Sequence, residues 1–529
     1  MSHSLIRSHL DAWAAVMEEC GVQHWVYSPG SRNAPLLAAL MRRPFFILHE
    51  QIDERSAAYC ALGMAQQLQS PAAVLCTSGT AAANWLPAAC EAFYLRIPLI
   101  LVSADRPIES VDQWSGQTIR QDELYHRHVR AQYRVSDDLD QRPQHAELEE
   151  LMHSAIRQSL YPTAGPVHLN FPLREPLYLD MDDQQPLAFV TKAFVWSKPN
   201  AAPAVWEQIQ EALRPYTRIA LLLGQGEYHP DRAHALENLQ NRVAIWADVC
   251  SQHQHLGTPH WENFVQVHSH WPPELEPELI ISTGMSQISK PLQTHISQSK
   301  PTHWHVSESL EFGDPFGTKP LHWPHYDMDF LAALDQLLPQ NLTFGATWQK
   351  ATESHSSPST KRPEEYQGAR LLLESLQEDD VLHLGNSMPV RYASWFGKLK
   401  GRVYANRGTS GIDGSLSSAV GAALVNPHQR HFALLGDLSF IYDQHALWSR
   451  EWPQNLSIAV LNNQGGRIFE QIAGPSQWPQ LQERMVSPQQ VSLKALCEQY
   501  GVRYIRCSAE ECAQQWRQSN SLHVYEIPC

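Results

Sequence analysis

The chain has 529 residues, 43% of them hydrophobic, and a formal net charge of −15. That length exceeds one ordinary core and predicts several domains, while the acidity argues against nucleic acid or an anionic membrane as partner, since both select basic surfaces. No apolar stretch approaches the ~20 residues of a membrane span, and the start Met-Ser-His-Ser-Leu-Ile-Arg lacks a signal-type apolar region. A soluble, unexported, cytoplasmic protein is expected. The nine cysteines contain no C-x-x-C pair and read as reduced thiols filling cores.

The first third alternates strand and helix signals. Strands are predicted at His24–Ser28, Phe45–His49, Ala72–Thr77 and Pro98–Ser103, and helices at Ala34–Met41, Asp53–Gln69 and Ala81–Arg96. This βαβ succession predicts a parallel sheet, closed by an apolar strand in Gly165–Pro172. Within it, Asp53 and Glu54 stand as first-turn acids that complement a helix dipole. Cys76-Thr-Ser-Gly-Thr-Ala-Ala-Ala-Asn84 reads as strand, tight turn and helix start, a loop that offers backbone N–H groups.

A second α/β segment begins around Trp206, with strands at Ile219–Leu223 and Leu279–Ser282. Its Gly224-Gln-Gly226 is a weak phosphate-loop signal. The stretch carrying His253, His255, His260, His268 and His270 has no cysteine or carboxylate at ligand spacing and reads as a polar loop rather than a zinc site. Lys350–Glu365 is a linker by composition. The expected fold is α/β, three doubly wound parallel-sheet domains over residues 1–182, 190–345 and 362–529.

The third domain holds the most informative pair of segments. His431-Phe-Ala-Leu-Leu-Gly-Asp-Leu438 and Leu456-Ser-Ile-Ala-Val-Leu-Asn-Asn-Gln-Gly-Gly466 each read as a buried strand ending in turn residues, with Asp437 and Asn463 26 positions apart. That separation leaves room for a crossover, so both side chains project from the carboxyl ends of adjacent strands, where open α/β sheets bind ligands. Mg²⁺ takes hard oxygen ligands in an octahedron completed by phosphate and water. Asp437, Asn463 and the Gly465 carbonyl supply such donors for Mg²⁺, or Mn²⁺.

This pairing resembles the diphosphate motif of the thiamine diphosphate (ThDP) enzymes, Gly-Asp-Gly followed about two dozen residues later by Asn-Asn. Leu438 replaces the second glycine. The resemblance implies a Glu from the N-terminal domain that hydrogen-bonds the aminopyrimidine and promotes its activation. The pattern Glu54-Arg-Ser-Ala57 matches that position, with Glu50 as the alternative. It further implies that Ser78, Gly79, Thr80, Ser387, Met388, Gly411, Ile412, Gly436, Asp437, Leu438, Ser439, Asn463, Gly465, Gly466 and Ile468 line the cofactor. In that superfamily one chain's pyrimidine domain faces another chain's diphosphate domain, so a homodimer or dimer of dimers is implied.

Cations also cluster in loops at strand ends: Arg32, Arg106, Lys290, Arg391 and Arg407. Five of them in an acidic protein suggest a pocket for several carboxylates, because arginine grips a carboxylate bidentately. The segments Ser28-Pro-Gly-Ser-Arg32, Ser103-Ala-Asp-Arg-Pro107, Gln117-Thr-Ile-Arg-Gln121, Asn406-Arg-Gly-Thr-Ser-Gly-Ile-Asp-Gly414 and Gly436-Asp-Leu-Ser-Phe440 resemble the MenD family of menaquinone biosynthesis, in which Leu438 is at home. This resemblance implies decarboxylation of 2-oxoglutarate and 1,4-addition of the succinyl carbanion to isochorismate. It places Ser387, Arg391 and Arg407 on the succinyl carboxylate, Ser31, Arg32, Arg106, Gln117 and Lys290 on isochorismate, and Ile468, Phe469 and Ile472 as an apolar wall. The alternatives are another ThDP 2-oxo acid decarboxylase, an acetolactate-type synthase, or a catalytically dead regulatory relative.

Overall fold

A computed structural model describes residues 2–135, 145–178, 185–195, 206–325, 327–355, 363–397, 399–471, 474–518 and 521–529. Its described strands form three sheets, in each of which every pairing is parallel. The first has the order β2-β1-β3-β4-β6-β5, built from β1 (His24–Tyr27), β2 (Ile47–Glu50), β3 (Ala72–Cys76), β4 (Leu99–Asp105), β5 (Ala131–Arg134) and β6 (Val167–Pro172). The second, β11-β10-β9-β7-β8, uses β7 (Ile219–Leu223), β8 (Ala244–Ala247), β9 (Leu279–Thr283), β10 (Thr302–Val306) and β11 (Leu321–Trp323). The third, β13-β12-β14-β15-β17-β16, uses β12 (Val381–Leu384), β13 (Arg402–Ala405), β14 (His431–Gly436), β15 (Leu456–Asn462), β16 (Arg503–Arg506) and β17 (His523–Pro528).

Each sheet is doubly wound. The chain moves from its first strand to one side, then returns to the other, so β1/β3, β7/β9 and β12/β14 are switch points where the exit loops diverge and leave a crevice. The central strands β3, β4, β7, β9 and β14 are apolar runs buried on both faces, as a sheet covered by helices on each side requires.

Several local expectations change. The strand expected from Phe45 begins at Ile47, because Phe46 packs against Trp25 beneath the sheet rather than extending it. The helix expected over Ala81–Arg96 is two helices, Thr80–Ala83 and Leu86–Leu95, broken before Pro87, which has no N–H to continue an α-helical ladder. The histidine-rich stretch is not a polar loop. It contains the helix Trp261–Val267 with Trp261 and Phe264 buried, and His253 is fully buried and stacked on Tyr228. The linker is shorter than its composition suggests, since Lys350–Thr352 end a helix, Glu353–His355 form a 3-10 turn, and Glu364–Glu374 is already helical. An N-terminal helix, Ser2–Glu19, was not anticipated; Trp13, Val16 and Met17 bury it on the first sheet. Among the described residues no helix is long and apolar enough to cross a membrane.

One apolar core runs from the first sheet into the third, through the helices Glu54–Leu68 and Ser415–Val425. These two pack backbone to backbone. A Cβ on Gly63 would stand 2.0 Å from the Ser418 carbonyl oxygen, and one on Gly421 1.9 Å from that of Cys60. The contact therefore tolerates no side chain, and it fixes Glu54, at the head of the first helix, relative to the third domain. Gly421→Ala should lower stability by about 1–3 kcal/mol through overpacking, read as a reduced thermal midpoint. Gly116→Ala, where nothing lies within 4 Å, should change it little.

Candidate active site

At the β12/β14 switch point one buried side chain gathers three loops. Asn386 donates its amide to the carbonyls of Asn406 and Gly411, each at 2.6 Å, and its Oδ1 receives Arg407 Nη1 at 3.1 Å. Ser439 Oγ in turn donates to the Ile412 carbonyl at 3.4 Å. Ser387, Met388, Gly411, Ile412, Gly436, Asp437, Leu438 and Ser439 are thus brought to one end of the sheet. Ser387 holds φ at 73°, a region costly for a residue with a side chain. That turn aims its carbonyl at Arg391 Nη1.

Asp437 is 2% exposed, and burial raises its pKa against the pull of its hydrogen bonds. Its Oδ1 accepts the Leu438 N–H at 2.8 Å and its Oδ2 the Gln489 amide at 2.7 Å. Gln489 also reaches Asn462 Oδ1 at 3.4 Å, and its own N–H bonds the Gln464 carbonyl, so one side chain ties the ends of β14 and β15 together. Gly465 has φ +152°, and a Cβ there would stand 2.8 Å from the Val486 carbonyl oxygen. Glycine is required at that turn. Leu438 fills the space above it, its Cδ1 3.5 Å from where a Gly466 Cβ would lie, which accounts for a bulky residue where the general ThDP pattern has glycine.

Asn463 supplies the test of fit to a metal. Its Nδ2 donates to Glu365 Oε1 at 2.9 Å, fixing the amide so that Oδ1 faces away, and that oxygen is buried without a partner. A buried acceptor with no donor is costly unless a ligand or cation completes it. With the Asp437 carboxylate this is a hard-oxygen donor set suited to Mg²⁺ or Mn²⁺ beside a diphosphate. The Gly465 carbonyl accepts the Arg467 N–H at 3.0 Å and keeps its second lone pair.

At the β1/β3 switch point of the first sheet, Glu54 opens its helix behind the N-cap Asp53, whose carboxylate accepts the Ser56 N–H at 2.9 Å and meets His445 Nδ1 at 2.8 Å. Glu54 is half-buried, burial raises its pKa, and its charge is felt by Cys76 at the end of β3. Glu50 is different. Its carboxylate is taken by the Tyr27 hydroxyl at 3.1 Å and by Arg450 at 3.0 Å, which leaves Glu54 the freer acid. Ser78 Oγ donates to the Gln117 carbonyl at 2.8 Å, and the Gly79 N–H to Gln121 Oε1 at 2.7 Å, one residue before the helix that Thr80 begins.

The cations form two pairs. Arg391 has its pKa lowered by burial and by Arg407, and neither makes an ion pair with a described residue. Asp248, which feels the Arg407 charge, spends both oxygens on the Cys250 and Ile288 N–H groups. Arg32, buried, has its pKa lowered by desolvation and then by Arg106. It donates to the Leu173 carbonyl at 2.7 Å, and both arginines share Glu175 Oε1, at 2.9 and 3.4 Å. Ser31 and Gln117 are exposed nearby in chain and contact. Lys290 stands apart: it begins the helix Lys290–Ser299 and bonds Gln293, with no hydrogen bond to the arginine pairs. Ile468 and Phe469 are half-buried on the turn after Gly466, and Ile472 lies outside the described residues.

Sequence reasoning missed Gln489, Glu365, Asn386 and Glu175. Each acts through a tertiary contact and sits in no motif. Glu365 is the clearest loss, having been assigned to a linker although it orients Asn463. The β7/β9 switch point holds a cavity of ≈ 640 Å³ lined in part by Gly224, Gln225, Gly284, Arg96, Arg130 and Arg407. Gly224 is there for packing, since a Cβ would stand 2.3 Å from the Met285 carbonyl oxygen.

Two family models match, the thiamine pyrophosphate enzyme N-terminal TPP binding domain over residues 8–125 and the C-terminal TPP binding domain over residues 386–519. Among curated proteins, the 2-succinyl-5-enolpyruvyl-6-hydroxy-3-cyclohexene-1-carboxylate synthase of Desulfotalea psychrophila is 36% identical over 93% of this chain and 92% of its own. That of Cytophaga hutchinsonii is 35% identical over 93% and 90%. Among solved structures, benzoylformate decarboxylase from Polynucleobacter necessarius superposes with a TM-score of 0.75 over 98% of both chains at 16% identity, a likeness of fold.

Asp437→Ala removes the one carboxylate of the metal set. It should abolish Mg²⁺-dependent ThDP binding in calorimetry while leaving the far-UV circular dichroism unchanged; affinity like that of the unmodified protein would exclude the assignment.

Proposed function

Because the chain belongs to the 2-succinyl-5-enolpyruvyl-6-hydroxy-3-cyclohexene-1-carboxylate synthases, a family of ThDP enzymes, we propose that it decarboxylates 2-oxoglutarate and adds the remaining four-carbon fragment to isochorismate in menaquinone biosynthesis. The carrying observation is the pair Arg391 and Arg407, two guanidinium groups close enough to repel, with no ion-pair partner among the described residues on either. Such a pair calls for an anion, and the distal carboxylate of 2-oxoglutarate is one of the right kind.

ThDP, with Mg²⁺ or Mn²⁺ on Asp437, Asn463 and Gly465, supplies the electron sink for loss of CO₂ and the carbon nucleophile that follows. The residues of the chain do the rest. Glu54 holds a proton at the aminopyrimidine, and its raised pKa suits a shared hydrogen bond. Arg391 and Arg407 orient the donor substrate, with Ser387 at the turn between them. Arg32 and Arg106, helped by Ser31 and Gln117, hold the acceptor's carboxylates in place of Glu175, the exposed acid that now bridges the pair, and the family resemblance alone adds Lys290, which stands apart from them. Ile468, Phe469 and Ile472 keep water from quenching the reaction early.

By the superfamily's arrangement, in which one copy's pyrimidine domain faces another copy's diphosphate domain, Glu54 and the Ser78–Thr80 loop are assigned to one copy and Asp437 and Asn463 to its partner, giving a homodimer or dimer of dimers with two sites per pair.

Incubation with ThDP, Mg²⁺ and 2-oxoglutarate, with and without isochorismate, tests the reading by mass of the products; an aldehyde formed regardless of isochorismate would mark a simple decarboxylase. Arg391→Ala should raise KM for 2-oxoglutarate roughly 10- to 100-fold, the worth of a ~1.5–3 kcal/mol charged hydrogen bond, and Arg106→Ala should raise KM for isochorismate instead. The reverse pattern would invert the two walls. Glu54→Gln should retain ThDP affinity in calorimetry yet lose roughly 10²–10⁴ in CO₂ release, the scale of general acid–base assistance.

A further inference from the structure

Gln121, the last residue of the segment Gln117–Gln121, is 1% exposed and stands at the centre of a polar network beneath the β3 and β4 exit loops. Its Oε1 accepts the Gly79 N–H at 2.7 Å, while the two Nε2 hydrogens serve the Ala104 carbonyl at 3.1 Å and Asn170 Oδ1 at 3.0 Å, with Ser103 Oγ at 3.3 Å sharing one of them. Ser103 Oγ donates its single hydrogen to Asn170 Oδ1 at 2.8 Å, so toward His168 Nε2, also at 2.8 Å, it can only accept. Asn170 Nδ2 donates to Asp105 Oδ2 at 2.8 Å and to Asp122 Oδ1 at 3.2 Å. Asp105 Oδ1 closes the chain by accepting the Arg106 N–H at 2.7 Å.

Every donor in this series meets an acceptor in one direction only. The Gln121 amide cannot be turned over without setting its nitrogen against the Gly79 N–H and its oxygen against the Ala104 carbonyl. The series also joins two parts that serve different ligands. At one end is the Ser78–Gly79–Thr80 loop, with Ser78 bonded to the Gln117 carbonyl; at the other is the backbone of Arg106, whose side chain shares Glu175 with Arg32.

We propose that Gln121 is a positioning residue that holds the pyrimidine loop and the acceptor-substrate arginine in one frame, so that cofactor and isochorismate are placed relative to each other by a single side chain. This rests on the assignment of Ser78–Thr80 to ThDP and of Arg106 to isochorismate. It separates the acceptor wall, which depends on Gln121, from the donor wall of Arg391 and Arg407, which is built by Asn386 and does not.

The test is Gln121→Glu in the full-length protein, which keeps shape but puts an acceptor against the Ala104 carbonyl and Asn170 Oδ1. ThDP affinity in calorimetry should fall and KM for isochorismate should rise, each about tenfold or more for a buried hydrogen bond lost at both ends, while KM for 2-oxoglutarate stays within about twofold. Ser103→Ala is the control: it removes a buried partner from the same network and leaves the Gly79 bond intact, so it should lower the thermal midpoint with little change in either constant. Equal changes in both variants, tracking the midpoint, would show a merely structural role and overturn the proposal. If Gln121→Glu does not fold, Gln121→Met, which drops the bonds without adding a charge, is read the same way. An isochorismate KM unmoved in Arg106→Ala would sink the underlying assignment; one that rises there but not in the Gln121 variants would sink this inference alone.

Discussion

Bringing two guanidinium groups together away from water costs free energy twice, once in desolvation and once in repulsion. This chain does so at two places. Arg391 and Arg407 are held by neutral groups, a backbone carbonyl and the Asn386 amide oxygen, so their charge is positioned without being spent. Arg32 is held by the Leu173 carbonyl and shares a single exposed carboxylate, Glu175, with Arg106. A protein with an excess of acids could have neutralised all four. Keeping them under-paired leaves their charge available to an anion, as the proposed function requires, and the surrounding loops hold those charges in place.

The placement follows from one topological rule used three times. A doubly wound sheet opens a crevice where its first strand has neighbours on both sides, and each sheet here does so at its first strand. The first crevice carries Arg32, Glu54 and the Gly79 loop; the third carries Ser387, Asp437 and Arg407. The second carries the ≈ 640 Å³ cavity, to which Arg407 also contributes. Arg407 therefore borders both the third and the second crevice, and the central domain meets the third crevice through it, as through Ser286, whose hydroxyl lies 3.4 Å from the Arg407 carbonyl oxygen.

What the sequence revealed and what it hid divide along physical lines. Strands β3, β4, β7, β14 and β15 were legible because strands buried on both faces are largely apolar runs, and the turns at Asp437 and Asn463 were legible because each such run ends in turn residues. Helix ends were less so: the break at Asn84–Trp85 depends on Pro87, and the buried His253 on stacking against Tyr228, neither of which periodicity reports. Least legible were residues that act on other residues. Glu365 orients Asn463 from almost a hundred positions away in the chain, and Gln489 bridges Asp437 and Asn462 from a segment with no motif of its own.

The same division explains why Leu438 was a puzzle in the sequence and is none in the structure. In the general motif a second glycine after the metal-binding Asp leaves room beside the following turn. Here the Leu438 side chain occupies that room, lying over Gly466, while Gly465 is pressed against Val486 from the other side. The turn after β15 thus lies between the Leu438 side chain and the Val486 backbone, whose carbonyl accepts the Gly466 N–H at 2.7 Å. Ile468 and Phe469 follow directly from that turn. On the proposed function, Leu438 supports the apolar wall as well as the metal-binding loop: replacing it with the glycine of the wider superfamily would empty the space beside Gly466 and loosen the turn that carries Ile468 and Phe469, a change that binding of the metal alone would not register.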